Sequence, residues 1–372
     1  MSCYLCGSKK YIEVLNKKDG CIWTGASDEE KKERRAYACI LHQCQVCGHV
    51  YQSVDENLRR ILNEIYLSNH AQASTPTGVG NWGLKRAQIF LDKIDVKNYA
   101  SVVEIGCADG YLLRCLKDKG LKKLVGIEPS ISKTEERDGI LFLKEFADEK
   151  LKLPQKHDLI FSNSVFEHTE DINSIIRFCR NNLKEEGEIF FTVPNAQPRL
   201  EDGDPGLFLH EHVHYYTQHS AFYLLQNNGF EVLECSTTND SLDVRARVNG
   251  SNAMKPAPFI VYDDYEAKLK RVLQKVDRLL EQGNILVHGA NNSLNNMLAW
   301  MHKPFDFTLV DNDETKHGKT YCGQIVRPLV EIDLSHYNTV LIIPVAFYNT
   351  IRNEYVERGF KGKIKNILNL PV

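Results

Sequence analysis

The sequence predicts an α/β protein built around a doubly wound, Rossmann-like parallel sheet. Three observations carry that prediction. The apolar run Val102-Val103-Glu104-Ile105 ends in Gly106 and a helical pattern starts at Tyr111, so strand, tight turn and helix N-terminus follow one another. A second apolar run, Leu124-Val125-Gly126-Ile127, ends in the acid Glu128. Strand-like and helix-like segments then alternate towards the C-terminus, the order that builds parallel sheets.

The central turn has a chemical reading. Gly106 and Gly110 let backbone approach a ligand because they lack Cβ. An acid about twenty residues further on suits the two hydroxyls of a ribose. A dinucleotide fingerprint asks for G-x-G-x-x-G, but the later places counted from Gly106 hold Ala108 and Tyr111, which disfavours nicotinamide and flavin cofactors. E-x-G-x-x-x-G with an acid one strand later closely resembles the class I S-adenosylmethionine methyltransferases. That resemblance implies S-adenosylmethionine as cofactor. The loop from Glu104 through Gly106 and Asp109 to Gly110 is placed at its methionine part, and Glu128, followed by Pro129, at the ribose. Phe146, within Leu143–Asp148, is placed as an apolar wall for the adenine, and Ser162 and Asn163 below the methionine part.

Composition bounds the rest. A chain of 372 residues allows two or three domains, and 42% apolar residues suffice for real cores. A formal charge of -3 implies neither nucleic acid nor an anionic membrane as partner. No apolar run approaches bilayer length and Met1-Ser2-Cys3 begins no signal peptide, so a cytoplasmic location is expected. The eleven cysteines then read as thiols or metal ligands, not disulfides.

Cys3-x-x-Cys6 and Cys44-x-x-Cys47 are each followed by glycine, the paired knuckles that hold tetrahedral zinc. Four thiolates leave no open position, so this zinc is expected to be structural, supplying folding energy to a segment too small to bury a core alone. Cys21 and Cys39 lack knuckle spacing, and the charged run Asp28–Arg35 reads as a solvated loop or helix. A linker helix is predicted from Val54 to Leu67, then a loop over Ser68–Trp82 as a candidate lid, then a helix over Gly83–Ile94. Further strands are predicted at Phe142-Leu143, Asp158–Ser162, Glu188–Val193 and Phe230–Glu234. Helices are predicted at Asp171–Leu183, stopped by Lys184-Glu185-Glu186-Gly187, and at Ser220–Asn228. A second α/β unit follows. Its helix face is Leu269, Val272, Leu273, Val276, Leu279 and Leu280, and its strands are Ile285–His288, Phe307–Val310, Val340–Ile343 and Ile364–Leu368. The expected domains are therefore residues 1–67, 68–250 and 251–372.

Methyl transfer needs alignment of donor and acceptor and a group to take the acceptor's proton. Histidine suits that task near neutral pH. Two histidine sites follow predicted strands: His168, in Phe161–His168, and the segment His210-Glu211-His212. Glu211 is a candidate to orient a neighbouring imidazole. The spacing is not the H-E-x-x-H of zinc helices.

The order of knuckles, core, His-Glu-His segment and C-terminal α/β unit resembles the sugar-nucleotide C-methyltransferases of deoxysugar pathways over nearly the whole chain. The matching pieces are Cys3, Cys6, Cys44 and Cys47; Glu104-Ile105-Gly106 with Asp109-Gly110; Glu128-Pro129-Ser130; Asn163 with His168; His210-Glu211-His212 with Tyr215; and Gly289-Ala290, Asp311, Lys316-x-Gly318 and Gly323. The resemblance implies a seven-stranded methyltransferase domain, structural zinc, and a small nucleotide-linked keto sugar held between the middle and C-terminal domains. It implies His212 as the base and Tyr66 near the donor. Departures cluster around the acceptor: Leu209 stands where the family has tyrosine, and Asn239-Asp240-Ser241 where it has Gly-Gly-Ser. Two alternatives to carbon methylation therefore stand: methylation of a hydroxyl of a nucleotide-linked sugar, and a non-catalytic, zinc-containing sugar-binding scaffold.

Overall fold

The computed structural model describes residues 2–30, 36–67, 80–248 and 257–370. Strands β1 (Tyr11–Cys21) and β2 (Ala36–Cys44) form an antiparallel pair, and β3 (Val50–Gln52) adds to β2. Helices α1 (Glu56–Leu67) and α2 (Gly80–Leu91) lead to β4 (Ser101–Ile105) and α3 (Tyr111–Asp118). Then come β5 (Lys123–Ile127), β6 (Glu135–Arg137), β7 (Ile140–Leu143), β8 (His157–Asn163), α4 (Ile172–Asn182), β9 (Leu183–Pro194) and α5 (Gln197–Asp202). The middle of the chain closes with β10 (His214–Tyr215), α6 (Gln218–Asn227), β11 (Phe230–Thr237) and β12 (Ser241–Val248). The C-terminal unit contains α7 (Tyr265–Leu280), β13 (Ile285–His288), α8 (Asn292–Met301), β14 (Thr308–Val310) and β15 (Thr320–Tyr321). It continues with β16 (Gln324–Arg327), β17 (Thr339–Ile342), α9 (Tyr348–Glu357) and β18 (Lys363–Asn366).

The middle sheet has the order β11-β12-β9-β8-β4-β5-β7-β6. From β9 to β7 neighbouring strands are parallel, while β12 is antiparallel to both β9 and β11. The chain winds from β4 outwards through β5 and β7, then returns to the other side of β4 as β8. The strand order therefore reverses between β4 and β8, and the crevice above their carboxyl ends is where such sheets take ligands. The C-terminal sheet, β15-β16-β14-β13-β17-β18, repeats this winding around β13 and is parallel except at β15–β16.

Several expectations need correction. The middle sheet has eight strands, not seven, because the three-residue β6 adds an antiparallel edge to β7. Strand β12 escapes a hydropathy reading because Asp243, Arg245 and Arg247 interrupt its apolar residues. Asp243 is nonetheless buried, accepting from Lys93 Nζ at 2.6 Å and Thr192 Oγ1 at 2.6 Å. Lys184–Gly187 is not a stop between elements: β9 already begins at Leu183, and Lys184, Glu185 and Glu186 are exposed. The stretch between the knuckles is mostly strand, with Val14, Leu15 and Leu41 buried among charged neighbours. Asp28–Glu30 is not a free solvated face. It docks on the C-terminal unit, where Asp28 N donates to Thr320 O at 2.7 Å and Lys319 pairs with Glu30 at 2.8 Å. Helix α2 starts three residues before the expected Gly83. Residues 31–35, and residues 68–79 of the candidate lid, lie outside the described residues.

One apolar core runs through all three units. It joins Leu15 and Leu41 of the first sheet, Leu200, Phe208 and Tyr215 of the middle unit, and Leu269, Val287 and Leu309 of the C-terminal unit. Strand β10, from the middle of the chain, pairs with β3 of the N-terminal sheet.

Buried histidines give this fold an acid sensitivity. His157, His210, His214 and His288 are each at most 3% exposed, and burial pushes each imidazole down to about 4. In the unfolded chain they titrate near 6.5, so the unfolded state takes up protons that the folded state refuses as pH falls from about 6.5 towards 4. Stability is therefore full above the unfolded value and declines below it, by about 2 kcal/mol per such histidine at pH 5. We expect the melting temperature to fall by about 10 °C or more between pH 7.5 and pH 5, read by scanning calorimetry. A flat profile would mean that these rings are charged in the folded protein.

Candidate active site

The candidate donor loop grows out of β4. Gly106 N and Cys107 N both donate to Ile127 O, at 2.8 and 3.3 Å, carrying the β4–β5 pairing past the strand end. The chain then turns through left-handed conformations at Gly106 (φ 74°), Ala108 (φ 47°) and Gly110 (φ 82°). A Cβ on Gly106 would run into the Val165 side chain, and one on Gly110 into the Phe142 ring. Helix α3 starts at Tyr111, whose N–H donates to Asp109 Oδ1 at 3.1 Å, while Arg114 pairs with Asp109 Oδ2 at 3.1 Å. Glu128, at the end of β5, closes the loop: Oε2 accepts from Ala108 N at 3.2 Å and Oε1 from Ser130 N at 3.0 Å.

Glu104 is 3% exposed and its Oε2 has no hydrogen-bond partner. Burial, then the charges of Asp109 and Glu128, raise its pKa well above the usual carboxylate range. An orphaned carboxyl oxygen beside two further acids suits a ligand carrying positive charge, as a sulfonium with an amino acid tail does. Ser162 Oγ donates to Ile105 O at 3.3 Å, joining the ends of β8 and β4. Asn163, the last residue of β8, and Pro129 are half-buried. Phe146 is 74% exposed. Tyr66 lies on the last turn of α1, and its side chain lies outside the described residues.

Beyond β8 a short turn, Phe166–His168, meets the His-Glu-His segment, with Val213 N donating to Glu167 O at 2.7 Å. His168 Nδ1 faces Glu211 O at 3.0 Å. A carbonyl only accepts, so Nδ1 carries the proton and Nε2 is the basic nitrogen. The orienting group is thus the Glu211 backbone, not its carboxylate. The rings of His168 and His212 meet edge to face, centroids 4.8 Å apart. Burial, then the positive charges of His168 and Arg199, push His212 well below the ordinary histidine range. It is therefore neutral, and able to accept a proton, at neutral pH. His210 does not join this pair. It is buried against the N-terminal sheet, with Nε2 3.1 Å from Tyr37 O and 3.7 Å from Cys39 Sγ. Adjacent residues on an extended chain point to opposite sides, and residues two apart diverge once the chain turns, as it does at His212 N–Leu209 O, 3.1 Å.

Two groups of donor atoms have metal-like spacing. The sulfurs of Cys3, Cys6, Cys44 and Cys47 lie within 4.8 Å of one another, and Cys3–Cys47 and Cys6–Cys44 are each 3.5 Å apart. The edge of a zinc–thiolate tetrahedron is about 3.8 Å, so the set fits zinc. Each knuckle closes with a glycine N–H donating back to its first cysteine: Gly7 N to Cys3 O at 2.8 Å and Gly48 N to Cys44 O at 2.9 Å. The Cys47 thiol hydrogen-bonds Cys3 and holds it down to about 6, towards the thiolate a metal needs. Glu167, His168 and His212 form the second group, also within 4.8 Å. Glu167 is 1% exposed, and burial raises its pKa. Sequence reasoning passed over Glu167, although it directly precedes His168. It also passed over Arg199 and Gln52, which carry no motif.

Residues 54–235 match a family model described as a methyltransferase domain. Among curated proteins, the chain is 26% identical over 166 residues to malonyl-[acyl-carrier protein] O-methyltransferase 1 of Coxiella burnetii, covering 42% of this chain and 57% of that protein. It is 25% identical over 127 residues to ubiquinone biosynthesis O-methyltransferase of Serratia proteamaculans, covering 32% and 50%. The chain thus spans about half the length of the curated relatives it matches. Among solved structures, N-methyltransferase NodS of Bradyrhizobium japonicum with S-adenosyl-L-homocysteine aligns at TM-score 0.34 and 16% identity, covering 46% of this chain and 89% of that one. No helix among the described residues is long and apolar enough to cross a membrane. Residues 54–235 are a methyltransferase domain of the class I, S-adenosylmethionine-dependent kind.

Proposed function

We propose that this protein transfers a methyl group from S-adenosylmethionine to a nucleotide-linked keto sugar, at the carbon beside the ketone, with His212 as base. The observation that carries this reading is the edge-to-face pair of His212 and His168, centroids 4.8 Å apart, with His168 on the segment that follows β8, whose Val165 lies against Gly106. When bound, the cofactor supplies an electrophilic methyl group on sulfur. The chain's own residues do the rest. The loop from Gly106 to Gly110 and the acids Glu104, Asp109 and Glu128 bind and orient the donor. The ketone acidifies the neighbouring C–H, and His212 takes that proton. The new carbon–carbon bond forms from the enolate as the carbon–sulfur bond breaks. His168, with its proton on Nδ1, packs against His212 and keeps it poised. Four thiolates, from Cys3, Cys6, Cys44 and Cys47, hold a structural zinc. The C-terminal unit closes the sugar nucleotide against the middle domain.

Oxygen methylation is the second reading. It is favoured by Leu209 in place of the family's tyrosine and by the two curated relatives described above, which are named as O-methyltransferases. The two separate in one experiment. Purified protein, S-adenosylmethionine and paired keto and hydroxy nucleotide sugars are incubated in heavy water and read by mass spectrometry. We expect methylated product only from the keto sugars, with solvent deuterium entering the carbon beside the ketone. Product from the hydroxy sugars without exchange would replace the carbon reading by the oxygen one, and no product from any acceptor would sink both.

A further inference from the structure

The His-Glu-His segment belongs to no sheet until β10 begins, yet its backbone is held at every step. Phe208 O accepts from Asn292 Nδ2 at 2.7 Å and from Asn296 Nδ2 at 2.9 Å. Leu209 O accepts from Tyr215 Oη at 3.0 Å, and Glu211 O from His168 Nδ1 at 3.0 Å. His210 O and His212 O share a single donor, Gln52 Nε2, at 2.7 and 3.2 Å. Gln52 N adds a third contact, to Val213 O at 2.9 Å. Thus five successive carbonyls are fixed by side chains, and the two that flank Glu211 depend on one glutamine.

Gln52 is costly to keep. It is 1% exposed and its Oε1 has no hydrogen-bond partner. Turning the amide over would point that oxygen at two carbonyls, so its orientation is determined. A buried amide with an orphaned acceptor persists where its donor does something an apolar side chain could not. Gln52 is the last residue of β3, the strand that follows the Cys44–Cys47 knuckle, and β3 pairs with β10 just past His212. His49, also between the knuckle and β3, bonds His214 Nδ1 at 2.8 Å. The Gln52 side chain therefore reaches the candidate base through the backbone carbonyl of His212, while His49 meets His214 ring to ring.

We propose that Gln52 is the positioning residue for His212, and that through it the cysteine module forms part of the catalytic wall. This deepens the function proposed above and rests on His212 being its base. The orientation of an imidazole follows its backbone, and a base displaced by about 1 Å loses on the order of 10²-fold in rate. Gln52 acts through that backbone and touches no reacting atom.

The test uses the full chain and two variants of matched shape, Gln52→Met and Gln52→Glu, both checked for unchanged zinc content. Hydrogen exchange followed by mass spectrometry reads peptides covering 208–213 and 104–110. We expect exchange in 208–213 to accelerate at least tenfold in both variants, with 104–110 unchanged, and metal chelation of the unaltered chain to give the same pattern. With a turned-over substrate, kcat falls at least tenfold while KM and the Kd for S-adenosylhomocysteine stay within twofold. Unchanged exchange in 208–213, or acceleration spread equally to 104–110, overturns the positioning role. Absence of methyl transfer by the unaltered chain would instead count against the proposed function, and the exchange data would still decide the role of Gln52.

Discussion

Replacing His212 with asparagine is expected to lower the turnover of methyl transfer by about 10²- to 10⁴-fold, the range that a positioned general base contributes. Asparagine keeps a polar side chain of similar reach but accepts no proton at neutral pH. The Kd for S-adenosylhomocysteine, measured by titration calorimetry, should not move, because the donor contacts proposed above lie on the loop between Gly106 and Gly110 and on Glu128, which closes that loop at Ala108 N. His168→Asn should act differently. The charge on His168 is one of the causes that push His212 down, after burial itself. Without it the acid limb of the pH–turnover curve moves to higher pH. Sign and direction follow from the neutral form being the active one: activity is present above the His212 pKa and lost as pH falls through it. Should His212→Asn keep full turnover while His168→Asn loses it, the base would be reassigned to His168. Full activity in both would remove proton abstraction by this pair.

Removing the metal from the cysteine module is expected to have the second large effect. Zinc bound by four thiolates contributes folding free energy of about 10 kcal/mol or more in small modules. The buried side chains Leu15, Leu41 and Val50 of the first sheet pack into the core it shares with the other two units. We expect purified protein to carry one zinc per chain by plasma mass spectrometry, and Cys44→Ser, at a fully buried ligand, to carry none. His168→Ala should leave that content unchanged, since the proposed role of this ring is with a proton. A second zinc lost with His168 would assign Glu167, His168 and His212 to a metal instead. Chelation should lower the melting temperature by about 10 °C or more, since the module is packed on both other units. A melting curve indifferent to chelation would show that the hairpin stands without metal.

Much of the middle domain was legible because its signals are local. Val102–Ile105 and Leu124–Ile127 are buried runs with turn residues at their ends, and both became neighbouring parallel strands. Gly106, Gly110 and Glu128 were legible as one unit, since a turn and an acid one strand later must come together when those strands pair. The paired knuckles were legible by spacing alone, and their four sulfurs do converge. Elements whose burial depends on partners far along the chain were not. Strand β12 carries charges that partners elsewhere in the chain make tolerable, Lys93 and Thr192 at Asp243 and Glu188 and Tyr99 at Arg245. Strand β1 carries Glu13, Lys17, Lys18 and Asp19 among its apolar residues, and the helices that pack on it, α7 and α8, come from far along the chain.

By itself the sequence determined the fold class, the turn from β4 to α3 with the acid one strand later, the paired cysteine knuckles whose sulfurs converge and the two histidine segments. These rest on residue types within a turn, a strand or a short spacing, where the chain's own geometry leaves little choice. Only the tertiary structure decided which histidine faces which. His210 and His212 are two residues apart, yet one is buried against the N-terminal sheet at Tyr37 and the other meets His168. That division comes from carbonyls held by Gln52, Asn292 and Asn296, side chains from the first and last units of the chain. A segment without a ladder of its own takes its shape from whatever satisfies its backbone groups, and those partners are set by packing between distant parts of the molecule.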